Sequence, residues 1–514
     1  MKKWLSFSCA LLLILCAVVG CSGKGNGVTE TTPSGNDSTA TTGGGSTIIK
    51  PGGSNSGTIS TDYYGDYETD DLPDSLDYDN YEFTILCDMG QYPKSFADTY
   101  TGDVINSAIY TRKSVVEDRL NISIEVERRA GAYDGMTEFT QVLYMAGSEY
   151  DLVLAYNLTP ATMAIQGLLY DMNQTAYLNE FSKPWWSATL LQNVTVNDRV
   201  FFTADNSSWN NLRNMLGVFV DKDLFAANNP DISIDDLYDM VENKQWTMAK
   251  MFELIDDTYR DTATPGEVTA DDTFGLCTAN NVWNEAWFFA AGFTCLGKDE
   301  QDNWSFSIGN EDVINFIDWF KSKFYDGSNN SFKWDASQYA MFKERRVQFY
   351  VSALSMVEQQ LEQPFAVLPM PMYDATTQDG YITHFSNTYD MYGIPAQSSD
   401  PDRSSAVLEC LASEAYRRIA PAYFEVYLKT RNASDNRLAD MYDIIRAGIV
   451  FDMGVLFGEL FVAGDNPIYF VRRTLNGYVD NLGATWTEEV NMQYLALWQQ
   501  NIEKLTNLPQ GGTQ

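Results

Sequence analysis

The sequence of 514 residues predicts an α/β fold with two lobes, each built on a doubly wound sheet. The first observation is that short apolar runs alternate with stretches whose apolar residues recur at helical spacing. The second is that this alternation starts near residue 80 and starts again near residue 216. The third is composition: 45% of residues are hydrophobic and 20% are charged, which suits a chain that buries a sizeable core.

The N-terminal residues have the pattern of an export signal. Two lysines precede an apolar stretch over residues 11–19, and Val-Val-Gly-Cys at 18–21 ends it with small residues before a cysteine. This ending resembles a bacterial lipobox, which implies a signal peptide over residues 1–20 and acylation of Cys21, as by palmitate. The alternative is an ordinary signal peptide or signal anchor with an incidental cysteine. No later stretch reaches the about 18 consecutive apolar residues of a membrane span, so we expect attachment to the extracellular face of the cell membrane through the lipid alone.

Residues 21–79 are predicted to form a linker between the lipid and the folded part. Residues 22–60 are dominated by Gly, Ser and Thr, so they cannot bury enough surface to offset the entropy lost on ordering. Residues 61–79 carry eight acidic residues and four tyrosines, and their like charges favour an extended chain. The linker is expected to hold the folded part near the membrane and let it turn.

The first lobe is predicted from strands and helices in alternation. The strands cover residues 83–86, 122–126 and 151–154, and the helices cover 105–120 and 136–146. Strand–helix–strand order gives parallel strands with right-handed crossovers. Ligands of such sheets bind outside the carboxyl ends of the strands, so the loops after residues 86 and 154 are expected to hold site residues.

The second lobe is predicted from a similar set of elements. Its strands and helices cover residues 216–220, 248–258, 313–324, 347–351, 365–368 and 490–505. Thr247 and Asn310 are the predicted caps of two of these helices, because short polar side chains accept hydrogen bonds from free helical N–H groups.

Composition and motifs exclude several classes of function. Acidic residues outnumber basic ones by 70 to 34, for a net charge of −36, which argues against nucleic acid and against strongly anionic solutes. His384 is the one histidine of the chain, and no Cys-x-x-Cys occurs, so no metal, no cofactor and no catalytic triad is expected. Residues 292–298 approach a phosphate-binding loop, but Asp299 stands where Ser or Thr belongs, and we interpret them as a helix end.

Cysteines and carboxylates leave two questions open. Cys277 and Cys295 are close enough in sequence to form a disulfide, and unpaired buried thiols are the alternative. The 70 acidic residues always offer carboxylate pairs, so glycoside hydrolysis is not excluded at this level.

The chain is rich in aromatic residues, with 12 Trp, 30 Tyr and 28 Phe. Sugar rings present apolar C–H faces and hydroxyl edges, so sugar sites combine flat aromatic side chains with Asn, Asp and Gln. Trp209 has Asn and Ser neighbours in the sequence, and Trp283 has Asn neighbours. Packing in the core is the alternative for any tryptophan, and the place of Trp283 at a predicted helix start favours a functional role.

Several segments occur in the order and spacing of a known family. Besides the lipobox they are Gly-Ser-Glu-Tyr-Asp-Leu-Val at 147–153, Gly-Leu-Leu-Tyr-Asp-Met-Asn at 167–173, Val-Phe-Val-Asp-Lys-Asp-Leu-Phe at 218–225, Ala-Ala-Gly at 290–292, the stretch 342–349, Phe-Ala-Val-Leu-Pro at 365–369 and Tyr-Gly-Ile-Pro at 392–395. Together they resemble the extracellular solute-binding proteins of ABC importers (family 1-like), in the sugar-binding lineage. The chain departs from the family at Val220-Asp221 and at Arg345, where Tyr-Asn and Gly are usual.

The resemblance implies a bilobal, periplasmic-binding-protein-like fold of type II, with two doubly wound sheets joined by a hinge that the chain crosses more than once. The first lobe would comprise residues 80–210 and 367–414, and the second 211–366 and 415–514. A solute, expected to be a carbohydrate or oligosaccharide, would bind in the cleft and favour the closed form, which an ABC permease in the membrane recognises. We expect a monomer without enzymatic activity.

The family's ligand-binding positions are carried onto this sequence residue by residue. Trp283 and Tyr469 match aromatic platforms of the family, and Trp209 is added for its polar neighbours. The expected ligand-binding residues are Asp88, Gln91, Tyr156, Asn157, Trp209, Trp283, Ser352 and Tyr469. Two alternatives stay open: a surface glycan-binding or carbohydrate-active protein that is not coupled to transport, and a sensor partner or adhesin.

Overall fold

The structure is a computed structural model that describes residues 67–178, 181–279, 282–298, 303–334, 339–359, 361–386, 388–424, 437–461 and 465–509. These ranges belong to one compact unit, residues 60–514. The predicted signal peptide, the acylated Cys21 and most of the predicted linker lie outside them. Within them, no helix is long and apolar enough to cross a membrane.

Strands are interspersed with helices as far as residue 393, and the described elements after it are all helical. The strands are β1 Tyr81–Asp88, β2 Ile122–Arg129, β3 Leu152–Tyr156, β4 Leu216–Asp221, β5 Phe274–Ala279, β6 Leu296–Lys298, β7 Trp304–Phe306, β8 Ser331–Trp334, β9 Val347–Ala353, β10 Phe365–Leu368 and β11 Asp390–Gly393. The α-helices are α1 Tyr92–Ser95, α2 Val104–Leu120, α3 Met136–Ala146, α4 Pro160–Ile165, α5 Ala188–Val194, α6 Trp209–Asn214, α7 Lys222–Asn228, α8 Ile234–Glu242, α9 Met248–Leu254, α10 Glu285–Ala290, α11 Glu311–Phe324, α12 Ala340–Lys343, α13 Pro401–Glu414, α14 Arg437–Ala447, α15 Met453–Leu456, α16 Ile468–Leu475, α17 Leu482–Thr485 and α18 Glu488–Asn507.

The first sheet has the strand order β11-β3-β1-β2. β1 pairs in parallel with both β2 and β3, whereas β11 pairs antiparallel with β3. α2 connects β1 to β2 and α3 lies between β2 and β3, so the predicted strand–helix–strand order is confirmed. The residues that α2 buries are those predicted from helical spacing: Ile105, Ile109, Arg112, Val116 and Leu120.

The second sheet is mixed, with the strand order β10-β4-β9-β5-β8. β5 runs parallel to β8 and β9, and β4 runs antiparallel to β9 and β10. Thr247 caps α9 as predicted, because its side chain accepts a hydrogen bond from the N–H of Lys250. This helix ends at Leu254, earlier than predicted, and Thr258 turns instead toward Asn330, whose Oδ1 accepts from the Thr258 N–H at 3.0 Å.

β5 and β8 are strands that the sequence pattern does not predict. All six residues of β5 are buried, so its sequence shows no alternation of apolar and polar side chains. Gly275 also interrupts it, and glycine usually weakens a strand prediction. A Cβ at Gly275 would lie 2.2 Å from Thr258 Oγ1 and 2.5 Å from Ile255 Cβ, so the glycine lets the strand pass close to the end of α9.

The chain passes between the two sheets more than once. The segment from β3 to β4 contains α6, and the segment from β10 to β11 returns to the first sheet. α13 then packs on α2, and α14 packs against β10, so a further passage lies between these helices. The residue limits of the two lobes stay a prediction, and the one at 366–367 falls within β10.

The end of the predicted linker packs against the folded part. Arg119 donates two hydrogen bonds to the carboxylate of Asp70, each 2.7 Å long, and Leu72 is buried. Acidic residues favour an extended chain only where no cation neutralises them, and here the guanidinium of Arg119 pairs with Asp70. The ordered chain therefore includes residues before 80, earlier than the composition predicts.

The stretch that approaches a phosphate-binding loop is a helix end, as predicted. α10 ends at Ala290, and Gly292 follows with a φ of 88°, a left-handed conformation that glycine adopts without strain. Its N–H donates to the carbonyl of Phe289 at 2.8 Å, which completes the last turn.

The cysteines of the described ranges are buried and unpaired. Cys277 lies in β5 with its Sγ 3.8 Å from Met341 Sδ, whereas Cys295 lies beside Gly454, so the two thiols do not meet. The alternative of unpaired thiols is therefore confirmed for this pair. Burial raises the pKa of both thiols, which makes them poor nucleophiles.

Candidate functional site

A cavity of about 360 Å³ lies between loops of the two sheets. Its described lining comes from the loop after β2, from α6, from the turn before α10, from the residue before α12, from β9 and the turn after it, from the loop before β11, and from α16. The lining residues are Tyr133, Arg213, Asn214, Val282, Trp283, Tyr339, Ala353, Ser355, Ser386, Thr388 and Arg472. Because both sheets and the segments between them contribute, a ligand here contacts both halves of the fold at once.

Trp283 is the predicted site residue that reaches this cavity. Its indole Nε1 donates a hydrogen bond to Ser386 Oγ at 3.0 Å, and its ring centroid lies 6.3 Å from that of Tyr339. Both partners also line the cavity. Only 3% of the Trp283 surface is exposed, so the ring is held in one orientation by the side chains around it.

Asp88 lies at the carboxyl end of β1, as predicted, and it organises two loops. Its Oδ1 accepts hydrogen bonds from the N–H of Gly131 at 2.9 Å and of Gly90 at 3.3 Å. Its Oδ2 is buried and has no hydrogen-bond partner among the described residues. The side chain thus joins the loop after β1 to the loop after β2, which carries Tyr133 to the cavity.

Tyr156 and Asn157 lie at the end of β3, next to the cavity lining. The Tyr156 ring centroid is 5.2 Å from that of Tyr133. Asn157 Oδ1 accepts from the N–H of Thr388 at 3.2 Å, and its side chain also hydrogen-bonds to Tyr389. Each residue therefore contacts a residue that lines the cavity, and its own contact with a ligand stays a prediction.

Gln91 belongs to a buried network that joins α6 to the first sheet. We call Asn210 and its acceptors the crossing network. Asn210 Nδ2 donates to Gln91 Oε1 at 2.6 Å, to the carbonyl of Thr388 at 2.5 Å and to Asp390 Oδ1 at 2.9 Å. Since α6 lies between β3 and β4, this network fixes a segment that passes between the two sheets.

Trp209 packs against an arginine of the cavity lining. The guanidinium carbon of Arg213 lies 5.3 Å from the Trp209 ring centroid, one helical turn along α6. Arg213 Nε donates to Glu358 Oε1 at 2.8 Å, and its Nη2 donates to Glu358 Oε2. The aromatic ring and the carboxylate together hold the guanidinium at the cavity wall.

Tyr469 packs against Arg472, the second arginine of the cavity lining, as Trp209 packs against Arg213. The guanidinium carbon of Arg472 lies 4.3 Å from the Tyr469 ring centroid. Arg472 Nε donates to Oε1 of Glu285, a carboxylate that is 1% exposed, and the other oxygen of Glu285 lies 3.6 Å from His384 Nε2. Trp209 and the predicted platform Tyr469 thus each pack against an arginine, and their direct contact with a ligand stays a prediction.

Ser352 lies within β9, opposite Gly217 of β4. Its Oγ is buried and has no hydrogen-bond partner among the described residues. The next residue, Ala353, and Ser355 beyond the strand line the cavity. Ser352 therefore lies close to the cavity but does not belong to its described lining, and its contact with a ligand stays a prediction.

A second cavity, of about 480 Å³, lies beside α3 and α4. None of the predicted site residues lines it, and its described lining is mostly Thr, Gln, Met and Tyr with Glu459. Nor do the described residues anywhere include a group of three His, Cys, Asp or Glu side chains that could hold a metal. The cavity with Trp283 is therefore the candidate site.

Buried carboxyl groups make stability depend on pH. Burial raises the pKa of Asp205, Asp452 and Glu409 to about 7, and hydrogen bonds to each group offset only part of this effect. Below about pH 4 such groups are protonated in both the folded and the unfolded chain. As the pH rises toward 7, only the unfolded chain releases these protons, so the free energy of unfolding falls.

We therefore expect the protein to unfold at lower denaturant concentration at pH 8 than at pH 5. Replacing Asp205 with Asn removes one of the three groups and is expected to flatten the dependence, because Asn can still accept from the N–H of Ser207. Asp118→Asn, at an exposed position, is the control. Equal stability at the two pH values, measured by urea unfolding, would refute the assignment of raised pKa values.

A sequence profile described as bacterial extracellular solute-binding protein matches residues 117–420, more than half of the chain. The chain belongs to this family. The matched residues include β2 to β11 and all of the described cavity lining except Arg472. The resemblance stated from the sequence motifs is thereby confirmed. A comparison with curated protein sequences finds no match for this solute-binding protein.

Solved structures share the fold of this solute-binding protein. UspC of M. tuberculosis has a TM-score of 0.50 at 14% identity, covering 81% of this chain and 100% of that one. A cyclic alpha-maltosyl-1,6-maltose binding protein from Arthrobacter globiformis has 0.50 at 12%, covering 83% and 100%. A cyclo/maltodextrin-binding protein complexed with maltotetraose has 0.50 at 13%, covering 84% and 98%. At this identity the likeness shows the fold, which is the expected α/β fold of bilobal binding proteins of type II.

Proposed function

We propose that this chain is a lipid-anchored extracellular solute-binding protein that captures a carbohydrate or oligosaccharide in its cleft and delivers it to an ABC permease. The observation that carries the proposal is a cavity lined from both sheets, in which Trp283 stands among polar side chains. Membership of the solute-binding family supports the role in import.

The chemistry of the lining suits a saccharide. Aromatic rings can stack on the apolar C–H faces of a sugar, and hydroxyl and amide groups can bond its hydroxyl edge. The described lining offers Tyr133, Trp283 and Tyr339 as rings and Asn214, Ser355, Ser386 and Thr388 as hydrogen-bonding groups. Two of the solved structures with this fold are named for maltodextrin or maltosyl-maltose binding, which makes saccharides the first class to test.

The position of the cavity suits capture by closure. A ligand shifts a conformational equilibrium only by its difference in affinity for the two states, so it must contact both lobes to favour the closed one. Tyr133 belongs to a loop of the first sheet, and Ala353 belongs to β9 of the second. A ligand between them would favour closure, and the permease would bind the closed form.

The anchor and the absence of catalysis complete the proposal. Acylation of Cys21 and a linker of Gly, Ser and Thr would hold a monomer at the extracellular face of the cell membrane. We assign no catalytic residue. Among the described residues that line the cavity none is Asp or Glu, and glycoside hydrolysis needs a carboxylate pair flanking the bond.

A thermal-shift screen of the mature chain against mono- and oligosaccharides tests this function. A saccharide at about 100 times its Kd is expected to stabilise the fold by roughly 2.7 kcal/mol, because it binds only the folded state. Peptides of similar size are the comparison set. A flat response to every saccharide together with a shift on peptides would overturn the proposed ligand class.

A further inference from the structure

The charge of the cavity wall is opposite to that of the chain. Acidic residues outnumber basic ones by 70 to 34 overall, yet the charged side chains of the described lining are Arg213 and Arg472, without a carboxylate. Each arginine has a carboxylate partner, Glu358 or Glu285, but neither partner belongs to the described lining. A ligand in the cavity can therefore contact the two guanidinium groups directly.

Arg213 keeps donors for a ligand. Its Nε and Nη2 bond the two oxygens of Glu358, and its Nη1 donates to no described residue. A guanidinium has five N–H donors in a planar fork, so one edge can bind a protein carboxylate while another binds an anion. Trp209 lies against the group at 5.3 Å, which limits its rotation.

Arg472, on α16, is likewise held by a carboxylate and an aromatic ring. Its Nε and Nη2 both contact Oε1 of Glu285, and Tyr469 lies 4.3 Å from its guanidinium carbon. Two arginines that are each fixed by a carboxylate and an aromatic ring lose little side-chain entropy when a ligand binds. This is the arrangement expected of groups that recognise an anion with defined geometry.

A third cation lies close to Arg213. Burial lowers the pKa of Lys94, and the guanidinium of Arg213 lowers it further, while Asp390, Asp88 and Glu358 act in the opposite direction. The Lys94 Nζ has no ion pair or hydrogen bond with any residue that the structure describes. Lys94 therefore adds a positive charge that acts on Arg213, while the carboxylates of Asp390, Asp88 and Glu358 act on Lys94 as well.

We propose that the ligand of the cleft is an anionic oligosaccharide whose acidic groups are bound by Arg213 and Arg472. The inference rests on the proposed function, and it names the class of saccharide. The charged group is a carboxylate, as in a uronic acid, or an ester sulfate, since both offer coplanar or paired oxygens to a guanidinium. The net negative charge of the chain argues against an anionic ligand, but it does not show where the few arginines lie.

The ligand side of the inference is tested on the wild-type chain by calorimetry. The probes are short oligomers of galacturonate, glucuronate and mannuronate, each beside the same oligomer with its carboxyl groups reduced to alcohols, and sulfated galacto-oligosaccharides. We expect an acidic oligomer to bind at least about tenfold more tightly than its neutral counterpart, and binding to weaken as NaCl is added. The arm that binds identifies the carboxylate or the sulfate.

The protein side is tested with Arg213→Gln and Arg472→Gln. Each is expected to lower the affinity for the acidic oligomer about tenfold or more and to leave the neutral one within about twofold. Arg473→Gln is the matched control, because Arg473 is on the same helix, pairs with Asp465 at 2.8 Å and lies over Phe470 at 4.7 Å, but does not line the cavity. If Arg213→Gln fails to fold, the double change Arg213→Gln with Glu358→Gln removes the pair together.

The outcomes separate this inference from the function on which it rests. Equal binding of neutral and acidic oligomers, or unchanged affinity in both arginine variants, overturns the inference and leaves saccharide capture intact. Binding of no saccharide, acidic or neutral, overturns both.

Discussion

Replacing Trp283 with alanine is expected to weaken binding of the cleft ligand by about 1–3 kcal/mol, which is roughly a 5- to 150-fold rise in Kd. The change removes an aromatic face at the cavity and the hydrogen bond from Nε1 to Ser386. Isothermal titration of the saccharide selected by the thermal-shift screen measures the effect directly.

Two further variants show whether the loss comes from the ring or from damage to the fold. Trp283→Phe keeps an aromatic face and loses the hydrogen bond to Ser386, so it is expected to recover most of the affinity. Trp319→Ala removes a tryptophan that packs against Phe252 and Tyr373 and does not line the cavity, so it is expected to leave Kd unchanged. Wild-type affinity in a folded Trp283→Ala protein would remove Trp283 from the site.

Replacing Asn210 with alanine is expected to lower the free energy of unfolding by about 2–4 kcal/mol. The change leaves the buried acceptors Gln91 Oε1 and Asp390 Oδ1, and the partly buried carbonyl of Thr388, without this donor. Buried acceptors that lose their partner retain the full desolvation cost. Urea unfolding at one fixed pH measures the difference.

Asn243→Ala is the control for Asn210. Its Nδ2 donates to the carbonyl of Asp239 at 2.8 Å on an exposed surface, so its loss is expected to cost less than about 1 kcal/mol. If both variants unfold at the same urea concentration, the crossing network contributes nothing special to the fold. An effect confined to Asn210→Ala supports the crossing network as the contact that holds the segment between the sheets in place.

The fold could be predicted wherever one face of an element is buried and the other is not. The helix α2 is the clearest case, since its five buried residues are those at helical spacing. β5 could not be predicted in this way, because it is buried on both faces and contains Gly275. A larger residue at this position would collide with Thr258. Periodicity carries no signal where an element has no exposed face.

The site could be predicted only to the level of loops. The rule that ligands bind beyond parallel strands identified the ends of β1 and β3, but it does not say which way a side chain turns. Asp88 turns to the N–H groups of Gly90 and Gly131 and serves the loops. The arginines that line the cavity were missed although each follows a predicted aromatic by one helical turn, as Arg213 follows Trp209.

Net charge is a sum, and the site depends on where the charges lie. A chain with a net charge of −36 is expected to avoid anions, yet the described cavity wall carries Arg213 and Arg472. The acidic residues contribute elsewhere, as Asp70 does by pairing with Arg119 on α2. Composition therefore describes solubility and surface field, and the geometry describes recognition.

A crystal structure of the mature chain with the saccharide selected by the screen shows directly where the ligand binds. We expect the saccharide in the cavity between the two sheets, with a sugar ring against Trp283 and a contact to Tyr133 on the side of the first sheet. A saccharide bound elsewhere on the surface, with this cavity holding only solvent, would contradict this expectation.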